Sequence, residues 1–129
     1  VADYRPAEVQ PDKIQKGAEE INLRLVRNPD IVSAVAASEY RPFTVGFAAE
    51  TRDLLTYARD KMRRKGLDMI VANDVSRQGI GFNSEDNEVT ILSHHAEQAL
   101  PRASKTTLAG QIIDAVASAA VRDTDAGLS

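Results

Sequence analysis

At 129 residues, 43% hydrophobic and 27% charged, the chain is sized for one domain that buries roughly two-thirds of its unfolded surface. The absence of cysteine excludes a disulfide scaffold, a thiolate nucleophile and a cysteine zinc site, and fits a reducing compartment. A formal charge of -3 gives no reason to expect nucleic-acid binding. No apolar run approaches the roughly 18 residues of a membrane helix, so a cytoplasmic protein with no membrane partner is expected.

The opening Val1-Ala2-Asp3-Tyr4 lacks a methionine and reads as if within or just past a strand. Processing explains it, and so does a piece cut from a longer protein. Residues 5–20 carry Pro6, Pro11 and mixed charges with no period, and read as a long loop, functional or mobile. Ile21, Leu23, Leu25 and Val26 then alternate as a short strand. Asn28-Pro29-Asp30 reads as a helix start, with Asn capping, Pro at the first position and Asp at the positive end. That helix is expected to reach about Ser38, burying Ile31, Val32, Val35 and Ala36.

Residues 43–48 form a nearly continuous apolar strand, as when both sheet faces are covered. Thr51 is placed to cap a helix that runs to Arg64 or Lys65, stops at Gly66 and buries Leu54, Leu55, Ala58 and Met62. Residues 69–72 are the next strand, and two βα units with short links favour parallel pairing. Residues 76–87 read as an irregular loop anchored by Ile80 and Phe82. Residues 89–92 are a strand, His94-His95 a turn, and Ala99-Leu100 the end of a returning strand. Ser104 caps a last helix whose Leu108, Ile112, Val116 and Ala119 share one face, and residues 122–129 read as a tail. The expected fold is a three-layer, Rossmann-like α/β domain over residues 1–121. Its mostly parallel sheet is flanked by helices and carries an antiparallel edge hairpin.

Two segments, Gly46-Phe47-Ala48-Ala49-Glu50-Thr51 and Ala72-Asn73-Asp74, end strands where α/β sheets bind ligands. Lys61 and Lys65 share a helix face and suit a triphosphate, although a solvated face is the simpler account of them. The helix start at Asn28 offers N–H groups to a phosphate or ribose, or is a plain cap. Asn73-Asp74 suits a polar ligand or a Mg²⁺-associated group, or marks a turn. Lys13 and Lys16 sit in the long loop, where composition favours an idle role. His94 and His95 have no third ligand at metal spacing and read as surface residues, so no metal site is expected. The Gly79-Ile80-Gly81 run is no Walker A motif.

Together these segments resemble bacterial phosphopantothenate–cysteine ligase, the C-terminal half of the bifunctional coenzyme A biosynthesis protein. The likeness runs from Ala2-Asp3 through Lys13-Ile14-Gln15-Lys16, Asn28-Pro29-Asp30-Ile31, Gly46-Phe47-Ala48-Ala49-Glu50-Thr51, Lys61 with Lys65, Ala72-Asn73-Asp74 and Gly81-Phe82-Asn83. The resemblance implies ligation of 4'-phosphopantothenate to cysteine through an acyl-cytidylate. CTP and Mg²⁺ would serve the reaction, and FMN would belong only to a separate decarboxylase domain. It implies that Asp3, Pro29, Asp30, Ile31, Val32 and Phe47 surround cytidine, and that Lys61 and Lys65 meet the triphosphate. Lys13 would be the lysine of a closing loop, with Lys16, Asn73 and Asp74 as secondary contacts.

Gln15 departs from the family's lysine-any-lysine loop. The family's glycine-rich turn and its asparagine-arginine-serine-serine-glycine segment have no counterpart, so the chain reads as the C-terminal portion of a homodimeric ligase domain, incomplete without its N-terminal part. Two other readings remain open on the residues. One is a non-catalytic nucleotide-binding or assembly fragment. The other is an NAD(P)-binding oxidoreductase, whose glycine fingerprint is not visible.

Overall fold

The computed structural model describes residues 2–9, 17, 19–75 and 86–127. The chain divides into two compact units, Val1–Ile31 and Val32–Ser129.

The first unit is a short ladder in which β1 (Tyr4–Pro6) pairs antiparallel with β2 (Leu25–Arg27). Asn28 ties off its end. Its backbone N–H donates to the Asp3 carbonyl at 2.8 Å, its Nδ2 donates to the Ala2 carbonyl at 2.9 Å, and its Oδ1 accepts from Arg5 Nη1 at 3.1 Å. This corrects the expected cap: the side-chain oxygen is spent on Arg5, and α1 (Ile31–Ala36) begins after Pro29 and Asp30 and runs 6 residues. The strand expected from Ile21 is shorter too. Ile21 and Leu23 are each 66% exposed, outside β2, since a two-stranded ladder offers little to bury alternating side chains against.

The second unit carries β3 (Val45–Glu50), α2 (Leu54–Lys65), β4 (Met69–Asp74), β5 (Asp86–Ser93), β6 (Glu97–Ser104) and α3 (Lys105–Gly127). Its strands lie in the order β3-β4-β5-β6. β3 and β4 are parallel, from Val45 opposite Met69 to Glu50 opposite Asp74, and the two remaining pairs are antiparallel. The architecture is three-layered and Rossmann-like, with the antiparallel hairpin β5–β6 at one edge. The described sheet is mixed, and β3–β4 is its parallel pair.

Alternation along the strands sorts the side chains into two cores. Ala48, Ile70, Ala72 and Leu92 pack with Ala58 and Met62 of α2. Met69, Val71, Val89, Ile91 and Leu100 pack with Leu108 of α3, backed by Ile112, Val116 and Ala119 as the helical spacing predicts. Gly46 lets the first layer close, because a Cβ there would lie 2.5 Å from Leu67 Cδ1.

Thr51 does not cap α2. The N-cap is Asp53, in the left-handed region at φ 48°, and it makes no side-chain cap bond. The other end behaves as read: Gly66 at φ 71° turns the chain, and Leu67 N–H donates to the Met62 carbonyl at 2.9 Å. Ser104 caps α3 as expected, its Oγ accepting from Thr107 N–H at 3.1 Å. The helix continues to Gly127, so helical backbone occupies 122–127, where the sequence read as a tail. No described helix is long and apolar enough to cross a membrane.

Candidate functional site

A cavity of about 460 Å³ opens near the carboxyl ends of β3 and β4, between the sheet and the first turns of α3. Val71, Val89, Leu108 and Ile112 make its walls apolar, and Phe47 stands at its rim, 67% exposed. Its polar lining comes from Asn73, Asn87 and Lys105. Carboxyl ends of parallel strands bind ligands because the loops leaving them diverge and open a crevice.

The pleat separates neighbours that the sequence read as one unit. Asn73 follows Met69 and Val71 onto the α3 face, whereas Asp74 follows Ile70 and Ala72 onto the α2 face, beside its register partner Glu50. The Asn73 Oδ1 is buried and has no hydrogen-bond partner among the described residues. Asn87 Oδ1 is engaged, accepting from Glu88 N–H at 2.8 Å.

The lysine pair lies in the α2 layer. Lys61 Nζ donates to the Phe47 carbonyl at 3.3 Å, while the Phe47 side chain lines the cavity under α3. Lys65, half-buried, sits one turn, about 6 Å, further along α2. Lys61 thus meets the main chain of Phe47, whose side chain lines the cavity. Arg63 and Arg64 both bond Asp60, and the Arg64 hydrogen bond, with Arg63 beside it, holds the Asp60 carboxyl below its ordinary range.

Asp3, Pro29, Asp30 and Ile31 belong to the first unit. Val32 packs against the α2-side core. Lys13 and Lys16 lie outside the described residues, as do Ile80, Gly81, Phe82 and Asn83. The α1 start, expected to seat a phosphate or ribose, heads a helix of only 6 residues.

Lys105 and Asn87 were not singled out from the sequence. Lys105 carried a signal nonetheless, since a cation just after a helix cap opposes the positive helix end and needs another reason to be there. A second trough of about 600 Å³, bordered by Asp68, His94, His95, Asp114 and Arg122, lies at the amino end of β4, away from the crevice. His94 and His95 are exposed, and no group of three or more His, Asp or Glu among the described residues is placed to hold a metal.

Comparison with known proteins places the chain in a family. Residues 1–120 match the DNA/pantothenate metabolism flavoprotein C-terminal domain. The chain belongs to this family.

Curated relatives include the coenzyme A biosynthesis bifunctional protein CoaBC of Vibrio cholerae, 53% identical over 116 residues, or 88% of this chain and 29% of that protein. The Escherichia coli K12 protein of the same name is 46% identical over 120 residues, covering 90% of this chain and 30% of its own length. This chain thus spans under a third of these relatives. Among solved structures, the C-terminal domain of a coenzyme A biosynthesis bifunctional protein CoaBC superposes with a TM-score of 0.67 at 31% identity, covering 90% of this chain and 48% of that one. The DNA/pantothenate metabolism flavoprotein from Streptococcus pneumoniae, with a TM-score of 0.69 at 21% identity over 92% of this chain and 59% of its own, shows a shared fold.

These findings correct the identification drawn from the sequence. The matched family is described as a flavoprotein's C-terminal domain, and none of these descriptions names a ligase, CTP or a cysteine substrate. The enzyme assignment as phosphopantothenate–cysteine ligase is therefore withdrawn. CTP and Mg²⁺ as its cofactors, and the confinement of FMN to another domain, are withdrawn with it. So are 4'-phosphopantothenate and cysteine as its partners. Coenzyme A biosynthesis, as the context of the relatives, stands.

Proposed function

We propose that this chain is a nucleotide-binding segment of a coenzyme A biosynthesis bifunctional protein, seating the ring of the nucleotide in the cavity between the β3–β4 carboxyl ends and α3. The observation that carries the reading is this apolar slot at the end of a parallel pair, with an ammonium and an amide on its lining. The family's description implies a flavin, and the residues suit one chemically. Val71, Val89, Leu108 and Ile112 suit the faces of a planar ring, and Lys105 suits a phosphate. Cytosine and adenine nucleotides present the same kinds of group.

A bound flavin would supply redox chemistry. The chain's own part is to exclude water from the ring, orient its edge and neutralise its phosphate. The test is calorimetric titration of the chain with FMN, CTP and ATP. FMN is expected to bind, Ile112→Trp to block binding by filling the slot, and Lys105→Ala to weaken it about tenfold, the worth of one charge-assisted hydrogen bond. No binding of any nucleotide would reject the proposal. Binding of CTP without FMN would keep the nucleotide site and overturn the flavin.

A further inference from the structure

The trough at the amino end of β4 originates in the side chains of α3. On the helix face that meets the sheet, Leu108 and Ile112 give way to Ala115 and Ala119. Large side chains fill the space over Val71 and Val89, but methyl groups cannot fill it over Met69 and Ile91. A cavity of about 600 Å³ follows. Phe43, Ala115 and Ala119, all half-buried, give it apolar walls that solvent reaches. A concave, apolar space of a few hundred Å³ with polar groups at its rim is the usual form of a small-molecule site.

The rim decides the kind of molecule. Along α3 it carries Gln111, Asp114, Ser118 and Arg122, spaced three or four residues apart and therefore in one row. The β5–β6 hairpin supplies His94, His95 and Gln98. Three carboxylates line the trough, and they are not alike. Asp68 is spent on Arg41 and on the Thr44 N–H. Asp123 stands next in sequence to Arg122, whose Nε donates to the Ser118 carbonyl at 3.3 Å. Asp114 is exposed and makes no ion pair among the described residues. The rim thus keeps one carboxylate in excess, open to solvent and one residue from the apolar wall at Ala115.

We propose that this trough is a second ligand site, independent of the nucleotide cavity, and that it takes a small organic cation. The cationic nitrogen pairs with the Asp114 carboxylate, and an apolar body lies against Phe43, Ala115 and Ala119.

The test is an NMR titration of the full chain with phenethylamine, phenethyl alcohol and phenylacetate, which share a body and differ in charge. The amide signals of residues 93–98 and 111–122 should move. Phenethylamine is expected to bind about threefold to fivefold more tightly than the alcohol, the worth of one exposed ion pair, and phenylacetate more weakly than either. Added salt should narrow the differences. Asp114→Asn, at an exposed position, should bring amine and alcohol together, and Ala119→Leu should weaken all three by filling the trough. Equal binding of amine and alcohol by the native chain would overturn the proposal. So would an amine preference that survives Asp114→Asn, or amide signals in these segments that none of the three moves.

Discussion

Gly46→Ala tests how closely β3 approaches the loop after α2. The added Cβ would stand 2.5 Å from Leu67 Cδ1, where carbon atoms rest at about 3.5–4.0 Å, so the leucine must give by more than about 1 Å. It has little room: Leu67 is 1% exposed and belongs to the cluster of Ala48, Ala58, Met62 and Ile70. Overpacking of this kind costs about 1–3 kcal/mol. Opposing it, alanine loses less backbone freedom than glycine on folding, about 0.5–1 kcal/mol. Gly46 is not at positive φ, so its backbone accepts alanine and sterics decide the sign.

The net expectation is a loss of about 1–2 kcal/mol. Leu67→Ala alone should cost about 2–5 kcal/mol through the cavity it leaves. In that background Gly46→Ala should become neutral or mildly stabilising, a coupling of about 1–3 kcal/mol. Urea unfolding of the four chains, followed by far-ultraviolet circular dichroism with unchanged slope, measures the cycle. An equal loss from Gly46→Ala in both backgrounds, or a native midpoint for the single variant, would refute the reasoning.

Two further outcomes concern charge. Asp68 Oδ2 accepts from Arg41 Nη2 at 2.6 Å and from Thr44 N–H at 2.8 Å, and Thr44 is buried. Asp68→Ala should therefore lower stability by about 2 kcal/mol, with Asp68→Asn recovering part of it by restoring an acceptor for Thr44, as read from the same urea midpoints. Asp60, whose folded carboxyl is held low by Arg64 and Arg63, contributes stability that is present above its unfolded pKa and lost as pH falls through the lower folded one. An NMR titration of the Asp60 carboxyl should show a midpoint below that of an unpaired aspartate and return toward it in Arg64→Ala. The effect on overall stability should be slight, because these side chains are exposed.

The strand at 69–74 was legible because Met69 to Ala72 are buried on both faces and apolar throughout, the strand at 45–50 through its apolar run although Phe47 and Ala49 prove exposed, and the faces of α2 and α3 because helical spacing repeats locally. Gly66 and Ser104 announced their helix ends through chemistry confined to a few residues. Asn28 and Thr51 misled for the same reason. Each has the chemistry of a cap, but Arg5, 23 positions away, claims the Asn28 oxygen, and the chain leaving β3 places Asp53 rather than Thr51 at the helix start.

Local periodicity and turn chemistry thus determined the layers, the β5–β6 hairpin and the position of a crevice at two strand ends. What entered that crevice was decided by the tertiary structure. The pleat sends Asn73 and Asp74 to opposite faces, α3 brings Lys105, 32 positions from Asn73, to the cavity both line, and the lysines of α2 stay in the other layer. A linear pattern records which residues alternate. Which of them meet depends on the packing of elements distant in sequence.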